Sequence, residues 1–198
     1  MGAGFSYSLF LPPTSDLVMA TFSSPFRFLL IFVALATTSI SSAHTLDPDA
    51  FIGKWDFDKA QSTDLSPWSR CQLTISLKGE ILTISRVLGG GRRTHTDTIP
   101  LNINRHLNTV AQGWWIDNRH IGAYSPHDAT KTVTARTLDN GKLLRLETDL
   151  VLETQQGSRD VNIISQYQIS PDGDRLIVTD LRSTRPRPVV HVFTRSDK

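Results

Sequence analysis

From residue 51 onward, apolar and polar side chains alternate in short runs with a period of two, and no stretch shows the longer period of an amphipathic helix. The run Cys71-Gln72-Leu73-Thr74-Ile75-Ser76-Leu77 turns at Lys78-Gly79 and returns as Ile81-Leu82-Thr83-Ile84-Ser85, which predicts a β-hairpin. A first strand is expected around 51–57, followed over 59–70 by a polar linker with one turn of helix. The triple glycine 89–91 predicts the next turn. Residues 92–99 then predict a strand that is polar on both faces, which suits a sheet edge or the lining of a wet cavity. Further strands are expected at 109–116, 119–124, 131–138, 142–153, 160–169, 175–181 and 189–194. Asp139-Asn140-Gly141 and Pro171-Asp172-Gly173-Asp174 punctuate them with turn-forming residues. This spacing predicts an all-β domain, an up-and-down antiparallel barrel of about eight to ten strands whose closure removes exposed edges. A β-sandwich is the competing architecture.

The first 43 residues follow a different pattern. Arg27 precedes the apolar run 28–36, and 37–43 ends in small residues at the −3 and −1 positions of a cut after Ala43. A secretory signal peptide at 1–43 and a mature domain at 44–198 are expected, with Met19 as an alternative start. The apolar run is shorter than the roughly 20 residues that span a bilayer, so no membrane span is expected after cleavage. Cys71 is the only cysteine and reads as a small core residue. An exported domain that cannot form an internal disulfide fits a secreted or periplasmic bacterial protein. Removal of 1–43 deletes Asp16 and Arg27 together, so the net charge stays at +2 and no charge-driven partner such as nucleic acid is implied.

The opening strand carries Phe51-Ile52-Gly53-Lys54-Trp55-Asp56-Phe57. A glycine two residues before a tryptophan lets another part of the chain approach closely beside a bulky ring. In this position the motif resembles the Gly-x-Trp signature of the calycin superfamily, which includes lipocalins, fatty-acid-binding proteins and lipocalin-like exported domains of uncharacterised function. The resemblance covers about 49–195 and implies a barrel in which an arginine near the end packs over the tryptophan; Arg195 is the matching residue. Two features depart from fatty-acid-binding proteins. The 58–70 linker has no room for a helix-turn-helix lid, and Ser196 follows Arg195 where those proteins supply a tyrosine.

Candidate chemistry is sparse. Arg182, Arg185, Arg187 and Arg195, with the Arg92-Arg93 pair, read either as an anion site or as solvated charges offset by Asp172, Asp174 and Asp180. His95, His106, His120, His127 and His191 fall in separate segments without metal-ligand spacing, so no metal or cofactor is expected. No Gly-x-Ser-x-Gly elbow occurs, and catalytic residues are not indicated. Adjacent Trp114 and Trp115 face opposite sides of a strand, with Tyr124 nearby, so one ring can wall a pocket or simply fill the core. The leading expectation is a non-enzymatic exported barrel that holds a small hydrophobic or amphipathic ligand, with Trp55 and Arg195 closing one end. Its candidate ligand-binding residues are Arg93, His95, Trp114, Trp115, Tyr124 and His191, and Gly53, Trp55 and Arg195 form the structural signature. The alternatives are a protein-interaction or inhibitor module with a filled barrel and, third, an enzyme with ionisable groups converging in a cavity.

Overall fold

The computed structural model describes residues 48–63, 65, 68–113, 115 and 122–196, all within the compact unit Ser42–Lys198. The expected signal segment, Trp114, His120 and most of the expected 119–124 strand lie outside the described residues.

Among the described residues, ten antiparallel strands form one sheet. They are β1 (Gly53–Asp58), β2 (Arg70–Lys78), β3 (Ile81–Gly90), β4 (Arg93–Asn102), β5 (Leu107–Ala111), β6 (Thr130–Leu138), β7 (Leu143–Thr154), β8 (Gly157–Ile169), β9 (Arg175–Arg182) and β10 (Val189–Arg195). The sheet order β4-β3-β2-β1-β10-β9-β8-β7-β6-β5 makes every neighbour sequential except β1 and β10, whose ladder joins the two ends of the chain. β4 and β5 lie next to each other without a ladder. The result is a nearly closed up-and-down barrel rather than a sandwich. The polar strand β4 is an edge of the sheet at this seam.

Alternation decides which side chains enter the barrel, because successive residues of a strand point to opposite faces. In β2 and β3, Leu73, Ile75, Leu82 and Ile84 turn inward and are buried, while Gln72 and Ser76 face out. Deleting any one of these buried aliphatic chains would cost about 2–5 kcal/mol. They join Phe51, Trp55, Leu101, Leu144, Leu176 and Phe193 in the main apolar cluster. A smaller cluster of Ala123, Leu150, Leu152 and Val161 packs with Trp115 and Ile163.

Three local expectations change. The turn after β3 is shorter than the triple glycine suggested: Gly89 and Gly90 extend the ladder opposite Arg70 and Arg93, and the chain reverses at Gly91-Arg92. A Cβ on Gly89 would stand 3.3 Å from Arg70 Nε, so this glycine makes room for the arginine laid across it. The fifth strand ends at Ala111 rather than 116, because Gly113 takes φ +68° and bends the chain out of the ladder. Residues 122 and 123 form no strand, and Tyr124 makes only an isolated bridge to Glu153. The linker after β1 has a single 3-10 turn, Lys59–Gln61, capped by Asp58, whose Oδ1 accepts from the Ala60 and Gln61 amides.

Candidate ligand-binding site

Following each strand inward from the Trp55 level, the interior changes from apolar to polar. β9 presents Leu176 and Val178, then Asp180 and Arg182. β3 presents Leu82 and Ile84, then Arg86, while β4 presents Leu101 and Ile99, then Asp97. β6 brings Lys131 after Val133, and β7 brings Thr148 after Leu146. Antiparallel pairing gathers these residues into one polar layer. Arg86 sits opposite Asp97, and Ser165 opposite Asp180.

The layer is a linked set of charges. Arg86 Nη2 donates to Asp97 Oδ2 at 2.8 Å, and Lys131 Nζ stands 3.9 Å from Asp97 Oδ1, with the Lys131 and Asp97 side chains each only 7 % exposed. Ser165 Oγ donates to Asp180 Oδ1 at 2.6 Å, and Arg182 Nη2 reaches Asp180 Oδ2 at 3.4 Å. Burial works against the Asp97 carboxylate, but the Arg86 guanidinium and Lys131 ammonium outweigh it and hold the group below its usual range. Burial dominates at Lys131 and pulls its ammonium downward, although Asp97 opposes this. Burial also raises the Tyr167 hydroxyl and pushes the Cys71 thiol up to about 11.

These residues line a cavity of about 100 Å³. Its apolar walls include Trp68, Leu88, Leu146, Leu150 and Trp115. Arg86, Lys131, Arg182 and Arg185 outnumber Asp97 and Asp180 around it, so the lining carries a cationic surplus. A water-sized occupant needs roughly 10–15 Å³ on the same measure, so the space takes several waters or a compact group of atoms.

Of the residues singled out in the sequence, Trp115 and His191 reach this cavity. Arg182 lies over the Trp115 ring at 5.4 Å, and His191 meets Phe57 edge to face at 5.6 Å. His95 is on the inner face of β4 with its ring 6.4 Å from Trp68, outside the cavity lining. Arg93 and Tyr124 do not join the site. Arg93 opens β4 as an exposed residue, and Tyr124 is 55 % exposed because its short bridge leaves the ring outside the wall. The solvated reading of the C-terminal charges does not hold for Asp180 and Arg182, whose side chains turn into the barrel, and Arg185 also lines the cavity. Arg86, Asp97 and Lys131 carried a signal that sequence reading missed: each is a charge at the apolar parity of its strand. Among the described residues no group of three or more His, Cys, Asp or Glu side chains could hold a metal, and no helix is long and apolar enough to cross a membrane.

Away from the cavity, Arg195 lies 4.1 Å over the buried Trp55 ring, and Trp55 Nε1 donates to the Phe51 carbonyl at 3.0 Å. Arg195 Nη1 donates to the Ile52 carbonyl at 3.1 Å, fixing the guanidinium across the strand pairing Trp55↔Arg195.

The fold is a nearly closed up-and-down antiparallel β-barrel with a charged interior layer. No family model matches the chain, and no curated protein matches it. Among solved structures, an abundant heat soluble (SAHS) protein from Ramazzottius varieornatus is similar over 74 % of this chain and 96 % of its own, at 11 % identity and a TM-score of 0.45. The fatty-acid-binding protein from Manduca sexta is similar over 73 % of this chain and 98 % of its own, at 11 % identity and a TM-score of 0.38.

Proposed function

We propose that this chain is an exported, non-enzymatic binding protein whose barrel holds a small amphipathic molecule with an anionic head. The observation that carries this reading is the inward-facing layer of buried Lys131 and partly buried Arg86 and Arg182 set against fewer carboxylates, beside apolar walls from Trp68, Leu146 and Trp115. Buried cations are costly unless paired, and an acidic head would complete the pairing. The cavity is smaller than the roughly 300–1,000 Å³ of drug-sized pockets, so it encloses the head and a short part of the ligand.

Native mass spectrometry of the protein from an exporting host, followed by denaturing extraction, tests the proposal. A released small acid supports it, and titration with octanoate should then show binding that Lys131→Met weakens at least tenfold. A clean apo mass together with no octanoate binding removes it. The limited cavity favours, as a second reading, an interaction module whose barrel is filled by its own side chains, and that negative result would bring it forward. Export is tested on the same sample: a mature chain beginning at His44 is expected, and retention of Met1 or Met19 would rule out cleavage after Ala43.

A further inference from the structure

Gln112, where the chain leaves β5, presents a buried acceptor to the cavity. Its backbone amide donates to the Ala129 carbonyl at 2.8 Å, and its side-chain Nε2 donates to the Val151 carbonyl at 2.7 Å. The side-chain bond fixes the carboxamide orientation, because the Val151 carbonyl can only accept and so must face the nitrogen end. Oε1 is left buried without a donor in a residue that is 5 % exposed and lines the cavity. Ser125 Oγ, on the same lining, is likewise buried without a partner.

Lys131 is close to this acceptor. The register Val110↔Lys131 makes Gln112, two residues beyond Val110, its diagonal neighbour on the inner face. A Cβ on Gly113 would stand 3.4 Å from Asp97 Oδ1, which brings the same segment up to the ion pair. Lys131 Nζ faces Asp97 Oδ1 at 3.9 Å, beyond hydrogen-bond length, while Arg86 already holds the other oxygen of that carboxylate. The cavity lining therefore offers a cationic donor beside an acceptor that only a donor can satisfy, and a buried hydroxyl able to do either.

A plain carboxylate brings acceptors alone, so it would satisfy Lys131 and leave Gln112 Oε1 buried and unpaired, at a cost in affinity. A cationic donor is opposed by the surrounding Arg86 and Lys131. A neutral hydroxyl meets both demands, since it can donate to Gln112 and accept from Ser125. We infer that the site selects acids with a hydroxyl one or two carbons from the carboxylate, the hydroxyl bridging Gln112 and Ser125 while the carboxylate takes Lys131. This inference rests on the anionic-ligand reading above.

Calorimetric titration of the purified protein with octanoate, 2-hydroxyoctanoate and 3-hydroxyoctanoate tests it. At least one hydroxy acid should bind about tenfold tighter than octanoate, because a site built to hydrogen-bond a hydroxyl rejects the analogue that lacks one. Gln112→Met should bring that preference within twofold, because octanoate then no longer leaves a buried acceptor unpaired while the hydroxy acid loses its partner; if this variant does not fold, Ser125→Ala should reduce the preference instead. Equal binding of all three acids would overturn the inference and leave the anion site standing. A preference that survives every folded variant would overturn the assignment to Gln112 and Ser125. No binding of any acid would remove the anionic-ligand reading itself.

Discussion

A Cβ added to Gly53 would stand 2.8 Å from Arg195 Nη1, so the glycine near the start of the barrel holds open the space that the arginine near its end occupies. Gly53 also takes φ +147°, a backbone region that side chains oppose. Gly53→Ala is expected to lower stability by about 2 kcal/mol or more in urea unfolding. In combination with Arg195→Met, which removes the obstructing group, part of that loss should be recovered, and strictly additive losses would show that the two positions are independent.

Trp55 is fully buried and bonded to the Phe51 carbonyl. Trp55→Ala should cost about 3–5 kcal/mol, the range for large-to-small changes at aromatic core positions. A clear fall in the thermal midpoint is expected. An unchanged midpoint would contradict the packing around this ring.

Asp97 gives stability a defined pH dependence. Its carboxyl is held below the ordinary value of 3.8, so ionised Asp97 stabilises the fold fully above that value, and the contribution is lost as pH falls through the lower folded pKa. Asp97→Asn should flatten this acid limb. At neutral pH it should also cost about 3 kcal/mol, because Arg86 and Lys131 lose the charge between them. Urea midpoints from pH 2 to 7 would measure both effects.

The Cys71 thiol, pushed up to about 11 by burial, is protonated at pH 8 and shielded in the wall of the cavity. Since the thiolate is the nucleophile, disulfide-exchange reagents should react with it at least a hundredfold more slowly in the native protein than in denaturant. Comparable rates in the two states would place the thiol outside the core.

The barrel was legible in the sequence because its strands state their faces. Leu73, Ile75, Leu82 and Ile84 alternate with polar residues, and that rhythm is how a one-sided sheet is written in sequence. The ends of elements were less legible. Gly89 and Gly90 read as a turn, yet pairing with Arg70 and Arg93 kept them in the strand, a demand made by the neighbouring strands rather than by the residues themselves. The site was legible only in part. Trp115 and His191 stood out by residue type, while Arg86, Asp97 and Lys131 looked like ordinary surface charges. Their parity with Ile84, Ile99 and Val133 placed them inside, but their mutual neutralisation depends on which strands pair.

The ladder between β1 and β10 joins residues from opposite ends of the described chain, whereas every other pairing joins neighbours in sequence. During synthesis the runs β1–β4 and β5–β9 can each assemble locally, but the sheet must wait for β10 before the two runs are joined and the Trp55–Arg195 contact can form. Closing so long a loop carries the largest entropic cost of any contact in the fold. If the chain were rejoined at its ends and reopened in the short β4–β5 connection, the strand order in sequence would match the order in the sheet from edge to edge. The present arrangement instead makes the clamp a record that the whole domain has been made.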